Sequence, residues 1–415
     1  MSPRWLVGNY RLLLTAFFVS TAGDWLYRLA LPLLVLQMTG SALTTALVYS
    51  LEYLPYLLFA PFAGVVADRA DRRVLMISTD LGAAVIVGLL AVLVWQDTQR
   101  VWMVYLAAFV LSASRPLYHA AFQGVIPRLV PPDRLVWANS RLQATQSVLD
   151  LAGPVLGAGA VAALGAGWAL GLDSASFTGS AIAIVLISMA RAVRPDESRD
   201  GVVESLRAGV AFLRGSPTLL WGSALTAGSA FALLLVEANM IYYLVEFRHQ
   251  PVVAVGVVFA ALGAGSIVGA LATPKLSRHL GPGQLIIYCM LGGGLATSLL
   301  IFVTPLVGIA LVWVLVGAST AIFTVTFYTL RHQLTPNELF GRILTLTRLM
   351  AFSALPVAPL VGGALLGATG KFTVLIAVSA AVQIGVGILA LGTPLRGATG
   401  VPEPVSSVPD DGPNG

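Results

Sequence analysis

Apolar residues fall along this chain in long runs separated by short polar or Pro/Gly-rich breaks. The pattern predicts twelve helices, near residues 11–36, 43–67, 74–95, 102–127, 137–163, 168–190, 217–244, 252–274, 284–304, 306–330, 343–366 and 371–392. Each is close to the roughly 20 residues that cross a hydrocarbon layer as a helix. The break from Arg191 to Ser216 is different in kind, because it carries nine of the chain's 43 charges. It predicts a linker with a short amphipathic helix between a first bundle, 1–190, and a second, 217–392. The tail from Thr393 to Gly415 holds five prolines and is predicted to be disordered.

Composition sharpens this picture. Apolar residues make up 57% of the 415 positions and charged residues 10%, against about 25% charged in ordinary soluble domains. A soluble fold would expose too much apolar surface, so soluble enzymes, nucleic-acid-binding domains and secreted disulfide scaffolds are excluded. The expectation is an all-α polytopic membrane protein with no nucleic-acid partner. The first run is too long for a signal-peptide core and is expected to remain. Cys289, the single cysteine, reads as a packing residue.

Orientation follows from Lys and Arg. With the N-terminus inside, inner loops and span ends hold 18 basic residues and outer loops three: Arg100, Arg248 and Lys371. Arg28, Arg115 and Arg141 fall within spans. This asymmetry predicts that both termini are cytoplasmic, which requires an even number of spans.

The halves repeat at an offset of 205 residues. Leu129, Pro131, Asp133, Pro154, Gly157 and Gly165 match Leu334, Pro336, Glu338, Pro359, Gly362 and Gly370 without a gap. Gly64, Ala67 and Arg73 match Gly269, Ala272 and Arg278 at the same offset. Six helices repeated in one orientation imply two pseudo-symmetric bundles facing one another, an architecture that places a site near the bilayer midplane.

Between the second and third spans runs Gly64-Val-Val-Ala-Asp68-Arg69-Ala-Asp71-Arg72-Arg73. It resembles the G-x-x-x-D-R/K-x-G-R-R/K loop of the major facilitator superfamily, with Asp71 in place of the second glycine. Further segments are similar to the bacterial drug- and siderophore-exporter branch, which includes macrolide-efflux and enterobactin-exporter proteins. They are Leu31-Pro32-Leu33-Leu34, Leu54-Pro55 through Ala60-Pro61, Ile126 to Pro131, Trp137-Ala138-Asn139 and Leu206 to Leu213. In the fifth span, Gly153-Pro154-Val-Leu-Gly157-Ala158 resembles the G-x-x-x-G-P-x-x-G-G motif of proton-driven antiporters, with Leu149 and Ala158 replacing its first and last glycines. Its repeat mate is Ala358-Pro359-Leu-Val-Gly362-Gly363. The resemblance implies a bacterial inner-membrane transporter, expected to be a monomer. It makes Asp68 part of a cytoplasmic latch and lines a central cavity with the first, fourth, seventh and tenth helices.

Ionisable groups inside spans are costly and are functional candidates by default. Asp24 and Arg28 stand at i, i+4 on the first helix, where they are expected to neutralise each other. Arg115 and His119 share that spacing on the fourth. Glu237 on the seventh and Glu52 on the second have no basic residue at i±3 or i±4. Asp150 precedes the Gly153-Pro154 motif by one turn, and Arg141 is expected to be ion-paired. Thr324 and Tyr328 offer hydroxyls on the tenth helix, while Asp80 and Asp173 read as interfacial or capping groups. No nucleotide-phosphate loop, zinc-protease motif or cysteine pair is present, so no cofactor, metal or catalysis is expected and an ion gradient must supply the energy. The reading is a secondary exporter of an amphipathic small molecule, coupled to protons, with Glu237 as the preferred proton carrier. The alternatives are a facilitator or importer of a metabolite or lysolipid and, more remotely, an intramembrane enzyme.

Overall fold

The structure, a computed structural model, describes residues 3–187, 202–336 and 339–398, without the side chains of 3–7, 61, 64, 65, 68, 132 and 202–208. The described residues are mostly helical and include no strand. The first half comprises α1 (Pro3–Thr39), α2 (Ala42–Arg69), α3 (Arg72–Trp95), α4 (Val101–Leu129), α5 (Leu135–Leu164) and α6 (Ala166–Leu186). After α7 (Val202–Gly215) come α8 (Pro217–Ile241), α9 (Val252–Leu276), α10 (Pro282–Leu299), α11 (Leu306–Leu334), α12 (Phe340–Ser353), α13 (Val357–Thr369) and α14 (Phe372–Leu391). The last turn of α8 continues as a π-helix over Tyr242–Phe247.

The 205-residue repeat extends to element bounds: α4 shifted by that offset is α11, and α5 becomes α12 together with α13. The halves differ at one point. Helix α5 runs unbroken through Pro154, whereas its counterpart is interrupted at 354–356. Pro356 stands there in addition to Pro359, and two prolines three residues apart remove too many backbone bonds for one continuous helix. Glycines at positive φ end three helices: Gly40 (61°) after α1, and the repeat mates Gly165 (83°) and Gly370 (64°) after α5 and α13.

Among the described residues, ten helical segments are long and apolar enough to cross a bilayer, with α12 and α13 counted as one. Helices α1 and α10 complete the expected twelve by packing. The first carries Asp24 and Arg28 mid-helix yet lies against α5 and α6, and the second, rich in glycine, lies between α11 and α14.

Among the described residues, the two halves meet chiefly through two helix pairs. Helix α5 packs on α9, and α2 packs on α13. Both contacts use glycine: a Cβ at Gly256 would come within 2.5 Å of the Pro154 carbonyl oxygen, and one at Gly363 within 2.7 Å of the Leu43 Cα. Both contacts lie toward the face opposite Arg69, Arg72 and Arg73. Toward the basic face Asn139 and Gln143 of α5 are exposed, and both line the larger cavity. The cavity is therefore open on the basic side and closed on the other.

Close glycine contacts that hold one end shut should fail when filled. Gly256→Val and Gly363→Val are each expected to cost the closed arrangement about 1–3 kcal/mol through overpacking. Spin labels at Thr39 and Thr369, with Cys289 replaced by Ser, should report a longer distance in either variant than in the parent. An unchanged distance distribution counts against glycine packing as the closure.

Candidate functional site

The charged residues of the first half converge in one network. Arg115 on α4 donates from Nη2 to Asp24 Oδ1 on α1 at 3.0 Å, and from Nη1 to Glu52 Oε1 on α2 at 3.3 Å. Arg28 Nε lies 3.2 Å from the same Glu52 oxygen. Asp24 and Arg28 therefore pair across helices, not along α1 as their spacing suggests. A guanidinium reaches a neighbouring helix as easily as the next turn, and Arg115 gains two carboxylates by doing so. Glu52, without a partner on its own helix, is the most heavily paired acid of the three.

Helix α5 positions this network. A Cβ at Gly153 would fall 2.2 Å from Trp25 Cδ1, and one at Gly157 would fall 2.8 Å from the Trp25 carbonyl oxygen. The glycines thus let α1 lie against α5 at the turn that carries Asp24 and Arg28, and the Arg28 guanidinium sits 5.4 Å from the Trp25 ring centre. In the second half, Gly362 packs as closely on Leu235 and Asn239 of α8, the repeat mate of α1.

A cavity of about 480 Å³ opens beside the network. Its walls include Asp24, Arg28, Arg115, His119, Tyr27 and Tyr118. Glu237 does not reach these walls. It lies in the last third of α8, and the charges of the other half that act on it are Arg28 and Glu52. Among the described residues it makes no ion pair.

Asp80 and Asp173 are corrections to the sequence reading. Asp80 is 3% exposed and lines the cavity, and Asp173 is 0% exposed. One carboxylate oxygen of each has no hydrogen-bond partner. Asp173 accepts from Ser176 Oγ at 3.3 Å and lies against Gly23, next to Asp24. The serines that follow Asp173 at i+3 and i+7, Ser176 and Ser180, were the signal that this face of α6 is buried and polar.

Among the described residues Arg141 makes no ion pair, and its guanidinium stacks 4.4 Å from the Trp137 ring centre. Asp150 instead accepts from Gln146 Nε2 at 2.7 Å. Thr324 lies outside both cavity walls, while Tyr328 lines a second, smaller cavity. In the loop, Asp71 caps α3 by accepting from the backbone N–H groups of Arg73 (2.9 Å) and Val74 (3.2 Å). That explains its presence where the family loop has glycine, since a carboxylate at this position satisfies two free donors. Arg72 donates to the Gly124 carbonyl of α4 at 2.6 Å, and Arg73 to that of Val185 on α6. Arg69 is exposed, and the side-chain positions of Gly64 and Asp68 lie outside the described residues.

Comparison with known proteins places this geometry. The chain is 25% identical over 381 residues to the multidrug efflux pump Tap of Mycolicibacterium fortuitum, covering 90% of this chain and 92% of that protein. It is 27% identical over 394 residues to the enterobactin exporter EntS of Escherichia coli O1:K1 / APEC, covering 92% and 90%. In fold it is similar to a bacterial homologue of the iron transporter ferroportin in an inward-facing state, with a TM-score of 0.74 at 18% identity over 94% of this chain and 99% of that one. The profile of the Major Facilitator Superfamily matches residues 13–359, and the chain, a multi-pass membrane transporter, belongs to that family.

Proposed function

We propose that this transporter is a proton-coupled exporter of an amphipathic small molecule, working by alternating access in a bacterial inner membrane with both termini cytoplasmic. The observation that carries the reading is a charge imbalance. Asp24 and Glu52 pair with Arg28 and Arg115, two charges against two, and Glu237 across the seam has no ion-pair partner among the described residues, so these five groups lack one positive charge when all three acids are ionised. One proton balances it. Asp24 and Glu52 are held by arginines, and Asp80 and Asp173 are buried within the first half, so Glu237, the acid that faces the seam from the second half, is assigned as the carrier.

Its position gives the coupling a route. Glu237 belongs to the second half, and the charges acting on it belong to the first. While ionised, it attracts Arg28 across the seam and competes for it with Glu52. Once protonated, it releases Arg28 to Glu52, and the attraction between halves falls. A carboxyl that is desolvated when the seam is shut and rewetted when it opens binds and loses its proton in step with that motion. The efflux functions of Tap and EntS support export, and the opening on the basic side suits uptake of cargo from the cytoplasm. The division into 1–190, linker 191–216 and 217–392 matches this mechanism of two moving halves.

Everted vesicles loaded with a pH dye and challenged with lipophilic cations, macrolides, siderophores and organic anions test the reading. Substrate-evoked proton movement is expected for at least one class, and none with any class favours a facilitator. Glu237→Gln should abolish uphill export while sparing downhill exchange, whereas Asp24→Asn should weaken both. Uphill accumulation by Glu237→Gln moves the assignment to another acid. Arg115→Gln should cost about 1–3 kcal/mol of stability by leaving two carboxylates without their hydrogen bonds. Adding Asp24→Asn should recover part of that loss in thermal unfolding.

A further inference from the structure

The second cavity, of about 240 Å³, has a chemistry unlike the first. Its walls carry Arg331 on α11, Arg348 on α12 and His119 on α4, and no acid. Arg331 is 5% exposed and donates from Nη1 to Thr347 Oγ1 at 2.8 Å, while its Nε is buried with no partner. Its guanidinium lies 4.5 Å from the Tyr328 ring centre and 5.9 Å from that of Phe327. Arg348 is exposed within the cavity and acts electrostatically on both Arg331 and His119. Among the described residues no carboxylate stands within ion-pair distance of either arginine.

A nearly buried guanidinium without a counter-ion is costly, and the first-half network shows that this chain pairs its other cavity arginines. A topology anchor would reach lipid headgroups, but Arg331 is turned inward against Thr347 and two aromatic rings. The two cavities share Tyr56 and His119, so one molecule can occupy both. Phe327, Tyr328 and Phe352 line the basic cavity. Arginine's planar fork suits a carboxylate or another planar oxyanion.

We infer that Arg331, Arg348 and His119 form an anion subsite, and that the cargo is an organic anion whose charged group sits there while its apolar or aromatic body extends into the larger cavity. The inference rests on the transporter reading of the cavity, and it names the cargo class. It also divides the labour: the first half holds a balanced, proton-sensitive network, and the second supplies the uncompensated positive charge.

The test uses the purified full chain in phosphatidylcholine nanodiscs, with 2-naphthoate and its neutral isostere 2-naphthamide as calorimetric probes. The acid is expected to bind at least about tenfold more tightly, the scale of one charge-assisted bidentate contact. Arg348→Gln, at an exposed position, and Arg331→Gln should each erase that preference, and Arg348→Lys should keep part of it. Equal affinity for the two probes, no binding of the acid, or an intact preference in Arg348→Gln overturns the proposal. Repeating the titration with phosphatidylglycerol in the disc separates cargo from lipid. Unchanged affinity supports a soluble anion, and loss of binding assigns the pocket to a headgroup and overturns the cargo assignment. Binding needs no gradient, so anion preference without proton movement in vesicles defeats the export reading and leaves the subsite standing.

Discussion

A guanidinium shared between two carboxylates organises the first half of this protein. Arg115 joins Asp24 of α1 to Glu52 of α2 from its own place on α4, and Arg28 adds a second positive charge beside Glu52. Away from bulk water an unpaired charge is expensive, so these helices are held in the arrangement that lets every one of the four charges meet its opposite. The close packing of α1 on Gly153 and Gly157 serves the same end. Without it, Trp25 would stand off from α5 and carry Asp24 and Arg28 with it.

The same constraint gives Glu237 its interest. It stands across the seam from a network whose positive charges are already taken, in the part of the molecule where the halves are packed together. Asp80 and Asp173 lie deeper in the first half, beside serines and Asp24, and enlarge the store of carboxyl groups on that side. The second half carries Arg331 and Arg348 on the walls of the smaller cavity.

Glycine and proline set where the bundles can touch. The repeat mates Gly157 and Gly362 seat α5 and α13 on equivalent helices, α1 and α8. Gly256 and Gly363 then bring the two halves into contact at one end. Backbone contacts of this kind need no polar partner and can part without leaving an unsatisfied group, which suits a seam that opens.

The sequence by itself determined the order of the apolar spans, the repeat that relates them, the family loop and the set of ionisable groups placed within spans. These are one-dimensional properties: a run of apolar residues long enough to cross a bilayer must be helical, and a gapless offset survives any packing. What only the tertiary structure decided was which charges meet. Spacing along α1 paired Asp24 with Arg28, and spacing along α2 left Glu52 alone, yet both acids are bound by residues far away in the chain. Side chains as long as arginine reach across the distance between packed helices, so the nearest opposite charge in sequence is not the nearest in space. Burial was hidden for the same reason. Asp80, Asp173 and Arg331 sit near the ends of their runs, and only the neighbouring helices show that each faces inward, away from the lipid.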